Sequence, residues 1–170
     1  MGALEAIAAQ PLDKWPSCCV VVPCYLPNEQ HIVLETLRFV TASEYAGPLR
    51  VMVVYNTPTP LPIQKELAKL REMNGVPVEC VHVVASRSKA HNLEHALAHL
   101  DEELVVLFDA DHHPAPSTVA TLVCTLVKLP EYTAVQGAVL IDRGGPWLLR
   151  WILNAMEWTS WCAAAPAPSL

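Results

Sequence analysis

The 170-residue sequence has no apolar run long enough to cross a bilayer, which takes about 20 residues in a helix. No secretory signal peptide is predicted, because the N-terminus lacks a basic start followed by an apolar block. Internal repeats are absent as well, and low-complexity sequence is confined to residues 163–170. These absences exclude a membrane-spanning segment and a signal peptide from the interpretation of this sequence.

Charge is also sparse in this sequence. Charged residues make up 16% and apolar residues 52%, a balance typical of a folded domain with a sizeable core. The formal net charge of -6 argues against nucleic acid as the main partner, because binding a phosphate backbone needs clustered Lys and Arg. A bound nucleotide is not excluded, because it needs only a local site.

The cysteines form no Cys-x-x-Cys pair, so neither a zinc knuckle nor a redox motif is predicted. Most of them fall inside apolar runs and are interpreted as small buried hydrophobic residues, which fits a reducing compartment. The six cysteines are Cys18, Cys19, Cys24, Cys80, Cys124 and Cys162.

Short apolar runs alternate with segments of helical spacing along the chain. Strands are predicted over 18–23, 49–55, 77–85, 104–108 and 133–140, and helices over 28–42, 63–73, 89–100, 117–129 and 146–162. Ser86 is the expected cap of the third of these helices. Because the strands are apolar on both faces, they predict a mainly parallel sheet in a three-layer α/β/α domain. Ligands of such sheets bind beyond the carboxyl ends of the strands.

The strongest local signal is Asp109-Ala110-Asp111, directly after an apolar strand. Side chains two residues apart on an extended chain point the same way, so both carboxylates can face one crevice. Close carboxylates repel each other unless a cation lies between them, and oxygen ligands suit Mg2+ or Mn2+. Such an ion could also bind a diphosphate and stabilise it as a leaving group. The alternative is a loop with two solvated acids.

Two other strand ends carry polar residues. Tyr25 follows the first strand and could stack on a planar base, while Asn28 could cap the next helix with Glu29 near its positive end. Arg87 and Lys89 follow the third long strand, where two cations at a helix N-terminus form an anion site suited to a diphosphate. The alternatives are an ordinary capped helix and a solvated basic turn.

Four segments in this order resemble the inverting glycosyltransferases of family 2, and most closely their processive, cellulose-synthase-like branch: VVVPCYLPNE, LRVMVVYNT, SRSKAHNLEHAL and VVLFDADHHP. The resemblance covers residues 18–161 and implies the GT-A fold. It also implies transfer of a sugar, with inversion, from a nucleoside diphosphate sugar to a hydroxyl acceptor. The expected nucleotide is UDP, the expected acceptor is a glycan or a lipid, and the expected location of the intact protein is the cytosolic face of a membrane.

The resemblance places the nucleoside near the first two strand ends. It implies that Tyr25 lies against the nucleobase, that Glu29 borders the nucleoside pocket, and that Pro23 belongs to the same substrate-binding segment. The family's acidic pair after the second strand is replaced here by Tyr55-Asn56. Asn56 can still hydrogen-bond a base edge, but the identity of the nucleotide stays open.

The diphosphate and the metal are assigned by the same resemblance. Lys89 and Asn92 match the K-A-x-N segment near the diphosphate, and Asp109 and Asp111 match the Asp-x-Asp pair that holds the sugar nucleotide and a Mg2+ or Mn2+ ion. His112 follows the second acid, as it does in some relatives.

The family's catalytic base, a carboxylate downstream of the Asp-x-Asp pair, has no counterpart before Leu170. The later Q-x-x-R-W motif is missing too, because Trp147 stands at the Gln position before Arg150-Trp151. We therefore expect a fold that is incomplete at its C-terminus, in a fragment, a truncated gene product or a degenerate protein. The alternative function is a non-catalytic module that binds a sugar nucleotide or a partner protein.

The predicted organisation has three parts: an N-terminal extension over 1–17, a nucleotide-sugar-binding core over 18–143, and a Trp-rich helix with a tail over 144–170. Trp147, Trp151, Trp158 and Trp161 fall on one face of that helix. They predict either contact with a membrane surface or packing against further parts of the domain.

A second short pattern lies in the same chain. His91-Asn92-Leu93-Glu94-His95 fits H-x-x-E-H, in which two histidines on one helix face bind zinc next to a glutamate. A zinc peptidase of this type needs a distant third ligand. The alternative is a plain helix with polar histidines.

Overall fold

The computed structural model describes residues 12–137, and all of its helices and strands lie in one compact unit that ends at Thr133. The strands are β1 (Cys18–Tyr25), β2 (Leu49–Asn56), β3 (Glu72–Met73), β4 (Val76–His82) and β5 (Leu104–Leu107). The helices are α1 (Leu26–Glu29), α2 (Val33–Thr41), α3 (Gln64–Leu67), α4 (Lys89–Leu97) and α5 (Thr118–Lys128). Within residues 12–137, no helix combines the length and the hydropathy needed to cross a membrane.

The described strands form one sheet in the order β3-β4-β2-β1-β5. β1 pairs in parallel with β2 and with β5, and β2 pairs in parallel with β4, whereas the short β3 is antiparallel to β4. The predicted mainly parallel α/β sheet is therefore confirmed. In this order β1 lies between two parallel neighbours, and its last residue, Tyr25, is in register with Asn56 at the end of β2.

The burial of β1 explains why its sequence is apolar on both faces. Val20 and Val22 belong to a core that also contains residues of α2 and α5, whereas Val21 belongs to a second core with Ala96 of α4. Helices therefore cover both faces of the sheet, as expected of a parallel sheet. Cys18, Cys19 and Cys24 are fully buried in these cores, as predicted, and burial raises the pKa of Cys18 and Cys19 to about 12.

The prediction of a helix over 63–73 was wrong beyond its first turn. α3 ends at Leu67, and Glu72–Met73 pairs antiparallel with β4. The connection contains Asn74 and Gly75 with φ values of 54° and 78°, the left-handed conformations that a tight hairpin needs. The Asn-Gly pair favours a hairpin turn, and this preference outweighs the helical spacing of the residues around it.

Three other boundaries differ from the sequence prediction. The predicted helix over 28–42 is divided into α1 and α2, and Asn28 lies inside α1 instead of capping a helix. Ser86 does not cap α4; the hydroxyl of Ser88 accepts the backbone N–H of His91 at 3.1 Å. The part of the predicted strand 133–140 that the structure describes, 133–137, is not a strand. Residues 1–11 and 138–170, which include the predicted Trp-rich helix and its four tryptophans, lie outside the described residues.

Arg50, the second residue of β2, connects β2 to β4 and to the loop before β5 at the amino end of the sheet. Its Nε and Nη2 atoms donate to the two carboxylate oxygens of Glu102 at 2.6 and 2.9 Å, and Nη1 donates to Glu79 on β4 at 2.8 Å. The side chain of Glu102 is only 15% exposed. This hydrogen-bonded contact with Arg50 lowers the pKa of Glu102 below its ordinary value of 4.5.

Replacing Glu102 with Gln should lower the free energy of unfolding by about 1–2 kcal/mol at neutral pH, because the charge-assisted bonds to Arg50 are weakened. The carboxylate's contribution is complete above its unfolded-state pKa and is lost as the pH falls through its lower folded-state pKa. The difference from the wild-type protein should therefore shrink as the pH is lowered below the ordinary carboxyl value of 4.5. Urea denaturation at neutral pH and at an acidic pH below that value measures it, with the exposed Glu131→Gln as control. An equal difference at both pH values would contradict the prediction.

Candidate functional site

The carboxyl ends of β1, β2 and β5 and the first residues of α4 surround a cavity of about 270 Å3. All of the substrate-binding and metal-binding residues named from the sequence line this one cavity, and Cys24 is the additional lining residue. The lining residues are Pro23, Cys24, Tyr25, Glu29, Asn56, Lys89, Asn92, Asp109 and Asp111. The structure thus brings the candidate residues together, while their individual roles stay predictions.

Tyr25 and Glu29 form a local unit at the end of β1. Glu29 Oε2 accepts the backbone N–H of Tyr25 at 2.6 Å, so the glutamate closes the first turn of α1 against the strand end. The side chain of Tyr25 remains 43% exposed at the edge of the cavity. An exposed aromatic ring on a fixed backbone is available for stacking on a planar group.

Cys24 was not predicted as a lining residue, because sequence reasoning assigned it to the core. It is 1% exposed, and burial, followed by the nearby Glu29 carboxylate, raises the pKa of its thiol far above the usual range. A protonated thiol is neither a nucleophile nor a metal ligand. Cys24 therefore lines the cavity as a buried, neutral thiol.

Two buried amides connect α4 to the ends of β1 and β2. Asn92 Nδ2 donates to Asn56 Oδ1 at 2.8 Å and lies 3.5 Å from the carbonyl oxygen of Cys24. Asn56 Nδ2 in turn donates to the carbonyl oxygen of Ser86 at 3.1 Å. These bonds fix which end of each amide carries the oxygen. Asn56 and Asn92 are 6% and 1% exposed, so the pair forms a buried part of the cavity lining.

This arrangement leaves Asn92 Oδ1 buried and without a hydrogen-bond partner within the described residues. An unpaired buried acceptor costs about 1–3 kcal/mol, and such atoms call for a structural or functional reason. The free atom is an oxygen, which accepts hydrogen bonds, and phosphate oxygens at neutral pH are acceptors too. Asn92 therefore cannot bind a phosphate oxygen through this atom.

The turn after β5 alternates between buried and accessible residues. Phe108 and Ala110 are 8% and 0% exposed, whereas Asp109 and Asp111 line the cavity. The backbone N–H of His112 donates to the carbonyl oxygen of Asp109 at 2.9 Å, which closes a tight turn around the two acids. The buried Phe108 before the first aspartate and the buried Ala110 between the two keep both carboxylates on the same side.

Asp109, Asp111 and His112 each offer one ligand atom, and these atoms lie within 4.8 Å of one another. Two carboxylates and an imidazole can serve as ligands of a divalent cation such as Mn2+ or Mg2+. His112 was missed as a possible ligand by sequence reasoning, although it directly follows the second acid. A second contact joins it to the same turn, since its Nδ1 lies 3.3 Å from the backbone nitrogen of Asp109.

Lys89, the first residue of α4, forms an ion pair with Asp109 Oδ1. The lysine side chain is 57% exposed and the aspartate side chain 45% exposed, so both remain accessible to a ligand. The same carboxylate is therefore shared between a lysine and the group of possible metal ligands. A cation that binds Asp109 must compete with the Lys89 ammonium.

A larger groove of about 790 Å3 adjoins the cavity and shares Tyr25 and Asn56 with it. Most of its lining was not named from the sequence as substrate-binding. It comes from the proline-rich loop after β2, the start of α3, the end of β4 and the segment that follows β4, where Arg87 was named as part of a predicted anion site. These further residues are Thr57, Pro58, Thr59, Pro60, Gln64, His82, Val84, Ala85, Ser86 and Arg87.

The histidines of the H-x-x-E-H pattern lie outside this site. Within residues 12–137, His91 and His95 belong to no group of three potential metal ligands. The ring of His95 instead packs on His99 with a centroid distance of 4.5 Å, and His99 Nδ1 lies 2.7 Å from the carbonyl oxygen of His95. This part of the structure offers no third ligand for a zinc ion at this pair.

A family model described as glycosyltransferase like family 2 matches residues 16–166, which is most of the chain. The chain belongs to this family. The match includes every strand of the described sheet and both acids of the Asp-x-Asp turn. The resemblance inferred from the four sequence segments is therefore confirmed.

Solved structures of glycosyltransferases share the fold of this family 2 chain. The mannosyltransferase PcManGT from Pyrobaculum calidifontis, in complex with GDP-Man and Mn2+, is 29% identical over 72% of this chain and 37% of its own, with a TM-score of 0.54. S. aureus TarS 1-349 in complex with UDP is 16% identical over 74% of this chain and 40% of its own, with a TM-score of 0.56. The same protein with UDP-GlcNAc gives a TM-score of 0.53 at 17% identity.

The matched part of this family 2 chain thus spans about two fifths of the solved relatives. The comparison with curated protein sequences gave no significant match. The GT-A fold predicted from the sequence is confirmed by the structural neighbours.

Replacing Lys89 with Met should strengthen Mn2+ binding in the absence of nucleotide by up to about fivefold, because the competing ammonium is removed from Asp109. Isothermal titration of the nucleotide-free protein with Mn2+ measures the change. Lys69→Met, which alters an exposed lysine on another part of the surface, is the matched control and should leave the affinity unchanged. Weaker Mn2+ binding in Lys89→Met would show that the lysine does not compete for the carboxylate.

Proposed function

We propose that this chain forms the donor-binding part of a glycosyltransferase that transfers a sugar from a nucleoside diphosphate sugar to a hydroxyl acceptor with inversion. The proposed donor is a UDP-sugar, the proposed acceptor a glycan or a lipid, and the proposed cofactor Mg2+ or Mn2+. The observation that carries this proposal is the group of Asp109, Asp111 and His112 beside Lys89 at the carboxyl ends of the central strands.

The donor set of the turn supports a divalent cation. Asp109, Asp111 and His112 would hold it, since their ligand atoms lie within 4.8 Å of one another in an accessible cavity. When bound, such an ion supplies positive charge to a diphosphate and stabilises it as a leaving group. The structural neighbour PcManGT was solved with Mn2+, which makes Mn2+ the first ion to test.

The first turn of α4 supports binding of the diphosphate. Lys89 is the first helical residue, Arg87 precedes it in the adjoining groove, and the helix N-terminus adds backbone N–H groups and the positive end of its dipole. Both cations lie within reach of solvent, so neither must be unburied to meet an anion. These groups and the cation would share the negative charge of the departing nucleotide.

The nucleoside would lie against Tyr25 and Asn56, the two residues common to the cavity and the larger groove. Tyr25 offers an exposed ring for stacking, and Asn56 offers an amide whose orientation is fixed by Asn92 and Ser86. Solved relatives bind GDP-Man, UDP and UDP-GlcNAc, so UDP and GDP are the nucleotides to compare directly.

In the transfer itself, the acceptor hydroxyl would attack the anomeric carbon from the side opposite the diphosphate, and a single displacement of this kind inverts the configuration. The hydroxyl proton would pass to a carboxylate base. The residues that line the cavity would bind and orient the donor. Contact with a membrane surface through Trp147, Trp151, Trp158 and Trp161 stays a prediction, because these residues lie outside the described range.

Replacing Asp111 with Ala should abolish Mn2+-dependent binding of UDP or GDP, because one of the two carboxylates that hold the cation is lost. Titration of each nucleotide with and without Mn2+ measures this effect. Asp101→Ala, which removes an exposed carboxylate away from the cavity, is the control and should bind like the wild-type protein. Unchanged Mn2+-dependent binding in Asp111→Ala would overturn the metal site, and absence of nucleotide binding in the wild-type protein would overturn the proposed donor.

A further inference from the structure

Helix α2 and the loop after it contact the segment that follows β5 at three points. The hydroxyl of Thr36 donates to the carbonyl oxygen of Ala110 at 2.6 Å. The ring of Phe39 stacks on His113 with a centroid distance of 4.3 Å and an interplanar angle of 14°. Beyond the helix, the backbone N–H of Glu44 donates to the carbonyl oxygen of Pro116 at 2.8 Å. The turn that carries Asp109 and Asp111 is therefore held in place by α2 and the loop after it, which are distant from it in sequence.

The bond from Thr36 differs from the other two contacts because it reaches the peptide between the two acids. Thr36 and Ala110 are both 0% exposed, so water cannot replace the hydroxyl as the partner of this carbonyl group. The Ala110 carbonyl shares a rigid peptide plane with the backbone nitrogen of Asp111. The orientation of this plane influences where the carboxylate of Asp111 points relative to that of Asp109.

We propose that Thr36 is a positioning residue for the divalent cation site, an inference that rests on the metal-dependent function proposed above. Its hydroxyl holds the Ala110–Asp111 peptide so that both carboxylates face the same cavity. Without the hydroxyl, the Ala110 carbonyl is left buried and unpaired, and the Ala110–Asp111 peptide plane rotates away from its present orientation. Asp111 then leaves the geometry in which it shares a cation with Asp109.

Two neighbouring observations support this specific role. Ala110 itself is fully buried in the core, so the turn cannot shift as a whole and the peptide plane is its adjustable part. The acids on either side of Ala110, Asp109 and Asp111, belong to the only group of three possible metal ligands among residues 12–137. Partners that orient metal ligands typically change metal affinity by 10–100-fold when they are removed.

Thr41 provides a matched control on the same helix. It is 3% exposed, and its hydroxyl donates to the carbonyl oxygen of Leu37 at 2.7 Å and accepts from Asn74 at 3.0 Å. Thr41→Val therefore removes a buried threonine hydroxyl from α2 without touching the turn after β5. A purely structural role of Thr36 predicts that the two Val variants behave alike.

The experiment compares Mn2+ affinity, by isothermal titration without nucleotide, among the wild-type protein, Thr36→Val, Thr36→Ser and Thr41→Val. We expect Thr36→Val to bind Mn2+ at least about tenfold more weakly, and Thr36→Ser to bind nearly like the wild-type protein because the hydroxyl is retained. Thr41→Val should keep wild-type affinity even where its melting temperature falls as much as that of Thr36→Val. If Thr36→Val does not fold, Thr36→Cys, whose thiol is a weaker donor, takes its place with the same expectation.

Equal Mn2+ affinity in the Thr36→Val and Thr41→Val proteins would overturn the role of Thr36, provided that Asp111→Ala loses the ion. Failure of Thr36→Ser to restore affinity would overturn it as well. If the wild-type protein binds no Mn2+, or Asp111→Ala binds it normally, the proposed metal-dependent function itself is wrong and the role of Thr36 falls with it. The Asp111→Ala result thus distinguishes the two failures.

Discussion

The parallel pairing of β1 with β2 on one side and β5 on the other is the constraint on which the site depends. Parallel strands in register end at the same edge of a sheet, so Tyr25 and Asn56 are neighbours, and the Asp-x-Asp turn follows β5 beside them. Nothing in the local sequence around Asp109 could place it near Tyr25, because the two residues are far apart in the chain. The tertiary pairing alone brings them together, and the burial of β1 on both faces stabilises that pairing.

The two ends of the sheet use charged residues differently. At the amino end, the guanidinium group of Arg50 donates hydrogen bonds to Glu79 and Glu102 through all three of its nitrogen atoms. Few of its N–H groups therefore remain for a ligand. At the carboxyl end, Lys89 and Asp109 are paired but remain half exposed, so their contact can be exchanged for another. The same type of interaction is thus structural between Arg50 and Glu102, whose side chains are mostly buried, and open to competition between Lys89 and Asp109.

Much of this architecture could be predicted from the sequence because its signals are local. The apolar runs indicated β1, β2, β4 and β5 to within a few residues, and strand-end polar residues indicated the cavity. Structure was harder to predict where two signals compete within a few residues. Asn74-Gly75 forms a hairpin although the spacing around it is helical, and Ser88 caps α4 in place of Ser86. The hydrogen bond from Thr36 to Ala110 joins two segments that are far apart in the chain, and neither segment carries a sequence pattern that predicts it.

The fully buried thiols of Cys18 and Cys19, the first two residues of β1, have a practical consequence. A thiol reagent reacts with the thiolate, and here the thiolate is suppressed both by enclosure and by a pKa raised to about 12. Modification of either cysteine therefore has to wait for an opening of the sheet at its most enclosed strand. The rate at which these two side chains are alkylated in native buffer therefore measures how often this part of the sheet opens.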